Sequence, residues 1–326
     1  MTATGTRSAA PADLPPELVA RFAQALERLW PEGGKLGLAV SGGPDSMAML
    51  LLAHAAIPGK FEVGTVDHGL RAESAAECAM VASACAARGI RCEVLKATVA
   101  PGNVQSRARS ARYGVLAGWA ERHGLAALAT AHHADDQAET LLMRLNRGSG
   151  VAGLAGVREI GAMPGCAIPV IRPLLGFRRA DLAGVVAASG LEAVHDPGNV
   201  DDRFDRARLR KAIGESPWLD VAALAQSAAH LADAEEALQW GTNRQWSERV
   251  TGPPDCLRFR PGTPAEITRR IVSRAIANFG DVPRGGDVAR LIERLARGES
   301  GSLGGALVTV EGDEWVFRPE PARRNS

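Results

Sequence analysis

Aromatic side chains are scarce in this chain, 4% of 326 residues with a single tyrosine. That excludes recognition of a nucleic acid by extensive base stacking and leaves arginine contacts and shape as the means of meeting one. Cysteine is also sparse. The five, at positions 78, 85, 92, 166 and 256, are odd in number and never form Cys-x-x-Cys, so a disulfide framework, a zinc ribbon and an iron–sulfur site are all poorly supported. They read as reduced thiols, with Cys78 and Cys85 seven residues apart on one helix face as small buried side chains. No run approaches the ~20 apolar residues of a membrane span. The Ala/Pro-rich start through Pro16 lacks the basic-then-apolar layout of a signal peptide. A cytoplasmic protein without a membrane partner is expected. A Walker loop is missing too, because Gly34-Lys35 and Gly59-Lys60 are followed by Leu36 and Phe61 instead of Ser or Thr. Gly148-Ser149-Gly150-Val151-Ala152-Gly153 matches Gly-x-Gly-x-x-Gly, but it follows a helical pattern where the dinucleotide fingerprint follows a strand.

The net charge of +1 does not by itself point to a polyanion, yet the arginines are clustered: Arg107, Arg109 and Arg112, then Arg203, Arg206, Arg208 and Arg210 with Lys211. Local patches of this kind mark nucleic-acid contacts or, more plainly, solvated helix faces. With 46% hydrophobic residues the chain can bury a large core, and at about 100–200 residues per domain it is long enough for two.

The most informative segment is Ser41-Gly42-Gly43-Pro44-Asp45-Ser46, which lies between an apolar strand at 35–40 and a helical run from Met47. Glycines after a strand let the backbone turn its N–H groups into one hollow, and the helix behind adds a positive dipole end. Pro44 suits a first helical position, and Ser41 and Ser46 offer hydroxyls to phosphate oxygens. Asp45 would repel a polyphosphate unless a divalent cation lay between them. The segment therefore implies Mg-ATP. A capped strand-to-helix turn is the plain alternative.

Strands at 61–67, 91–96 and 126–130 alternate with helices at 73–88, 104–123 and 134–147. This predicts an α/β fold, a doubly wound parallel sheet with its ligands beyond the carboxyl ends of the strands. Gly148–Gly165 reads as a mobile glycine-rich loop over the site, and 178–189 as a further helix. A basic helix over 201–213 closes a first domain, 1–215. The second, 216–326, is expected to be mainly helical, with helices at 221–249, 264–279 and 287–297 and a terminal hairpin of 303–309 with 315–318.

Two further constellations fall at strand ends. Asp67-His68-Gly69-Leu70-Arg71 permits a turn over a ligand or a simple capped turn. In His132-His133-Ala134-Asp135-Asp136-Gln137-Ala138-Glu139, Asp136 and Glu139 share a helix face. Such a set suits zinc or an ammonium substrate, although the helical His-x-x-x-His pair of zinc sites is missing. Carboxylates also raise the pKa of an amine they hold. At a reference pKa near 10.4 only about one lysine amine in ~2,500 is neutral at pH 7, so a nucleophilic amine needs a proton acceptor, for which His133 and Asp136 are the candidates.

Read in order, Ser41–Ser46, Asp67–Arg71, Ala108-Arg109 through Arg112-Tyr113, His132–Thr140, Arg147–Gly150, Arg172–Leu175, Asp196–Asn199 and Arg206–Arg210 resemble the tRNA(Ile)-lysidine synthetases, which belong to the PP-loop ATP pyrophosphatases. The resemblance implies a PP-loop fold like that of the adenine nucleotide alpha hydrolases. The implied activity is an AMP-forming ligase that adenylates the wobble cytidine of tRNA(Ile) bearing a CAU anticodon and joins L-lysine through its ε-amine. It further implies that Ser41, Gly42, Gly43, Pro44 and Ser46 cradle the phosphates, Asp45 holds Mg²⁺ and Arg112 steadies developing charge. His133, Asp136 and Glu139 would then position and deprotonate lysine, and Arg206, Arg208, Arg210 and Lys211 would meet the tRNA. Ala207 stands where that family usually has asparagine. The chain also resembles the shorter members, so that acceptor-stem reading would fall to 263–324. It is compatible with a homodimer. A thiolation enzyme of the same superfamily would show catalytic cysteines, and a non-catalytic nucleotide sensor would have no use for the His-Asp-Asp-Glu cluster.

Overall fold

The computed structural model describes residues 14–69, 73–98, 104–163, 166–191, 193–194 and 205–321. Leu70, Arg71, Asp196–Asn199, Arg203 and Arg324 lie outside the described residues. Packing divides the chain into two units, Met1–Ala232 and Asp233–Ser326.

The first unit is built on six strands: β1 (Leu36–Ala39), β2 (Phe61–Asp67), β3 (Cys92–Lys96), β4 (Ala127–Ala129), β5 (Ile160–Met163) and β6 (Cys166–Ile171). They lie in the order β3-β2-β1-β4-β6-β5. All pairings are parallel except that of edge strand β5 with β6. The order reverses between β1 and β4, so the loops after these two strands diverge and open a crevice. The loop after β1 is Ser41–Gly43 and the loop after β4 carries His132 and His133. The expected doubly wound parallel sheet is the observed fold.

Its helices are α1 (Pro16–Leu29), α2 (Pro44–Ala56), α3 (Glu73–Ala86), α4 (Val104–Arg122), α5 (Ala134–Leu145), α6 (Val151–Leu154), α7 (Arg179–Ser189) and α8 (Asp205–Gly214). Every residue from Ser46 to Ala53 is buried, as befits a helix apolar all round. α2 packs against β1, α1 and α7. α1 was not anticipated, although Leu18, Phe22, Leu26 and Leu29 form its buried stripe. Gly148–Gly165, expected as a mobile loop, instead contributes α6 and edge strand β5. Gln137 of α5 fixes this segment like a strand partner, donating from Nε2 to the Val157 carbonyl and accepting from the Val157 N–H, each at 2.7 Å.

Two glycines set the spacing between sheet and helix. Gly37 in β1 and Gly64 in β2 leave a trough filled by Trp119 of α4, which is fully buried. A Cβ at Gly37 would come 2.7 Å from Leu125 Cδ1 and 2.9 Å from Trp119 Cζ3, and one at Gly64 would come 3.0 Å from the same ring. Cys78 and Cys85 are buried and all five cysteines are free.

α9 (Val221–Arg249) spans the division between the units. After it come β7 (Val250–Thr251), β8 (Leu257–Phe259), α10 (Ala265–Ala277), α11 (Gly285–Ala296), β9 (Gly301–Leu303), β10 (Ala306–Glu311) and β11 (Glu314–Pro319). The expected hairpin, β10–β11, is the middle of a five-stranded antiparallel sheet ordered β7-β8-β11-β10-β9. Phe259 and Phe317 from this sheet meet Ile271 and Ile276 of α10 in a separate core. Among the described residues no helix is long and apolar enough to cross a membrane.

Gly37→Ala should destabilise the first unit by roughly 1–3 kcal/mol, the range of core overpacking. A lower urea midpoint at unchanged slope is the expected reading, and an unchanged midpoint would mean that Leu125 and Trp119 can give way.

Candidate functional site

The loop after β1 is closed by its own hydroxyls. Ser46 Oγ donates to the Gly43 carbonyl at 2.9 Å and accepts from the Ser41 N–H at 3.1 Å, while the Val194 N–H donates to the Gly42 carbonyl at 3.1 Å. Gly42 has φ +88°, and a Cβ there would come 3.2 Å from Met80 Cε, so the position requires glycine. Gly43 needs no such freedom; it is the extended N-cap of α2, followed by Pro44 in the first turn. The loop and the start of α2 border a cavity of about 690 Å³ that Ser41, Asp45, Arg112, His132 and Asp136 help to line.

α5 begins at the end of β4 and is stitched to α7 at its start. The Ala134 N–H donates to the Phe177 carbonyl at 2.9 Å, and Asp135 Oδ2 accepts from the Arg179 N–H at 2.8 Å and Arg178 Nε at 3.4 Å. Burial opposes charge on Asp135, but these donors hold its carboxyl below the usual range. Asp136 Oδ2 accepts from the His133 N–H at 3.2 Å, the reciprocal half of a capping box.

The two adjacent histidines carry opposite charge preferences. His133 is fully buried, with Nε2 3.3 Å from Asp45 Oδ2 and 3.6 Å from Asp136 Oδ2. Burial disfavours its cation, yet the two carboxylates outweigh burial and raise its pKa. His132 lines the cavity with Nδ1 3.0 Å from Thr130 Oγ1. Burial, reinforced by Arg172, Arg109 and Arg112 against the opposing Asp136, pushes its pKa down to about 4. It is therefore neutral near pH 7.

Glu139 is 1% exposed and is gripped by three guanidiniums. Arg179 Nη2 lies 3.1 Å from Oε1, Arg206 Nε 3.0 Å from Oε2, and Arg210 Nε 2.8 Å from Oε1. Arg206 also reaches toward Asp136, its Nη2 3.8 Å from Oδ1. Glu139 does not line the ATP-sized cavity but a second one of about 430 Å³, together with Asp135, Arg178, Pro217 and Leu219. Arg179 and Arg210 border both cavities.

The structure thus brings Ser41, Gly43, Pro44, Asp45, Ser46, Arg112, Asp136, Arg206 and Arg210 around one cavity. His133 lies buried beside Asp45. Arg208 and Lys211 are exposed on α8 and do not line either cavity. His68 borders the first cavity as the Asp67-His68-Gly69 turn suggested. The residues that sequence reasoning missed are His132, as a neutral group on the cavity wall, and Arg178 and Arg179. The arginine pair opens the predicted helix over 178–189, but nothing local shows that Asp135 and Glu139 await it.

Among the described residues the buried Asp45 Oδ1 and Arg112 Nε at the cavity have no hydrogen-bond partner. Arg112 makes no ion pair among the described residues. A carboxylate oxygen and a guanidinium left unmatched in this way point to a ligand carrying both cationic and anionic groups. Among the described residues no three His, Cys, Asp or Glu side chains are grouped to hold a metal by themselves.

Residues 15–216 match the PP-loop domain family. The chain is 44% identical over 315 residues to the tRNA(Ile)-lysidine synthase of Novosphingobium aromaticivorans, covering 94% of each chain. It is 38% identical over 303 residues to that of Zymomonas mobilis, covering 91% of this chain and 92% of the relative. Among solved structures it is similar to the U34-tRNA thiolase NcsA from Methanococcus maripaludis, with a TM-score of 0.55 and 16% identity over 67% of this chain and 78% of that one, a likeness of fold alone. With a PP-loop domain spanning most of its length and relatives this similar along nearly all of it, the chain belongs to the tRNA(Ile)-lysidine synthase family.

Proposed function

We propose that this protein converts the wobble cytidine of tRNA(Ile) with a CAU anticodon to lysidine, using ATP and L-lysine. The observation that carries the reading is the convergence of Asp45, Arg112 and Asp136 on one cavity, with two orphaned polar atoms awaiting a ligand. The cytosine oxygen attacks the α-phosphorus of ATP and pyrophosphate leaves. The lysine ε-amine then adds to the carbon bearing the adenylated oxygen, AMP departs, and the amine gives up a proton. Residues 1–215 carry this chemistry, and 216–326 meet the tRNA.

The loop N–H groups and the Ser41 hydroxyl bind the terminal phosphates, while Ser46 keeps the loop closed. Asp45, whose Oδ1 has no partner among the described residues, would hold Mg²⁺, which would offset the charge on the leaving pyrophosphate. Arg112, free of any carboxylate among the described residues, stabilises charge developing on the α-phosphate or the cytosine oxygen. Asp136 faces the same space and orients the amine. His132 joins His133 and Asp136 as a candidate acceptor because its ring is neutral at the working pH, whereas His133 holds its proton more firmly.

A thiolation reading is disfavoured by the positions of the cysteines. Cys78 and Cys85 are buried in α3, and none of the five lines either cavity.

Asp45→Asn and Asp136→Asn should each cut lysidine formation by at least about 100-fold, the range for loss of a positioned acid–base or charge-stabilising group. In single-turnover assays the first variant should lose ATP-dependent AMP and pyrophosphate release, and the second should lose lysine transfer. A variant with full activity would remove that residue's role.

Arg208→Ala and Lys211→Ala should each lower the slope of log affinity against log salt for tRNA by about 0.7–0.9, the increment per phosphate contact. Filter binding across a salt series measures this, and an unchanged slope would place the residue outside the interface.

The depressed pKa of His132 fixes a sign. Between about 6.5 and 4 the unfolded chain binds this proton and the folded chain does not, so stability falls as pH falls through that window, by up to about 3 kcal/mol from this group. Urea titrations of wild type and His132→Gln should converge toward pH 4, with the wild type losing more; parallel curves would refute the assignment.

A further inference from the structure

Four of the six tryptophans are accounted for by packing. Trp119 and Trp315 are buried, Trp30 rests against the first core, and Trp246 lies beneath the Arg274 guanidinium at 4.1 Å. Trp240, 65% exposed, has Arg244 5.8 Å from its ring centre. Trp218 is different: it is 80% exposed and has no aromatic or cationic partner among the described residues.

Its backbone, by contrast, is held. Ser216-Pro217-Trp218-Leu219 is a turn closed by the Leu219 N–H donating to the Ser216 carbonyl at 3.0 Å, with proline at the second position, where its fixed φ is pre-set. Ser216 Oγ donates to the Ala212 carbonyl of α8 at 2.7 Å, and Pro217 and Leu219 line the second cavity. Both neighbours of Trp218 thus line the second cavity, while its indole stands in water. A chain with so few aromatics forfeits the burial of one of its largest side chains here, a loss that a partner would recover.

We propose that Trp218 is a stacking platform for an unpaired base of the RNA substrate, in the same single-stranded loop as the reacting cytidine. The proposal rests on the tRNA-modifying reading above. Three observations converge on it. An indole face accepts any base, which suits a nucleotide that is positioned without being read. The preceding helix α8 exposes Arg208 and Lys211, charges complementary to the phosphates on either side of such a base. The cavity lined by Pro217 and Leu219 shares Arg179 and Arg210 with the cavity that holds Asp45 and Arg112, so the turn borders the place of reaction. One rigid platform also agrees with a composition that rules out extensive stacking.

Trp218→Ala and Trp218→Phe test this in the full-length enzyme. Removing one base-stacking contact should raise the KM for tRNA by roughly 5- to 150-fold, with the loss confined to KM, the pattern of binding shared by ground and transition states. The KM for ATP should not move, and Trp218→Phe should recover most of the difference. Independently of turnover, 2-aminopurine placed in turn at each loop position of the tRNA should be quenched at one of them by the wild type and by Trp218→Phe but not by Trp218→Ala. An unchanged tRNA KM with unchanged quenching would overturn the platform. So would a change in oligomeric state of Trp218→Ala by sedimentation with tRNA binding intact, which would give the surface to a second copy of the chain. Quenching that depends on Trp218 in a wild-type protein forming no lysidine would retain the platform and sink the reaction assigned above.

Discussion

The site depends on a buried carboxylate and on the three arginines that make its burial tolerable. An ionised Glu139 alone at 1% exposure would cost several kcal/mol in lost hydration. Four guanidinium hydrogen bonds from Arg179, Arg206 and Arg210 offset that cost. They also tie together three elements: α5, which carries Asp136; the start of α7; and the basic helix α8. The same cluster is the partition between two cavities. Arg179 and Arg210 face both, so a charge entering either one is felt by groups that line the other. The arginines of α8 thus divide by role. Arg206 and Arg210 are committed to the partition, while Arg208 and Lys211 are exposed and line neither cavity.

Charge is also sorted along a single dipeptide. His132 and His133 differ by one position, yet one is held neutral among arginines while Asp45 and Asp136 favour the cation of the other and raise its pKa. The physical reason is alternation. At a strand end successive side chains point to opposite sides, so one ring enters the cavity wall beside Thr130 and the next turns under the loop toward Asp45. A pair of identical groups with separated pKa values is a means of providing an acid and a base within one short segment.

The parallel sheet was legible because each of its units is a local signal. The strand over 61–67 matches β2 residue for residue, and Ser41–Ser46 announced both the turn and the helix behind it. What was not legible was non-local. Edge strand β5 is specified by its pairing with β6 and by the Gln137 amide, while its composition reads as loop. Strands β7, β8 and β9 are two or three residues long, too short for any alternation to register, and they exist because β10 and β11 offer them edges. The same limit held at the site. Spacing put Asp136 and Glu139 on one face of a helix. It did not reveal that arginines 40 to 71 residues further along would take Glu139 out of solvent.

That difference alters how the acidic residues of α5 divide the chemistry. Asp135 spends Oδ2 on the start of α7, and Glu139 has both oxygens held by arginines. Asp136 shares one oxygen with the His133 N–H and has only a distant guanidinium at the other. Of the three it alone lines the first cavity. In the reading proposed above, Glu139 acts through the arginines it positions, and the direct handling of an amine in the first cavity falls to Asp136, which lines it, and to the neutral ring of His132.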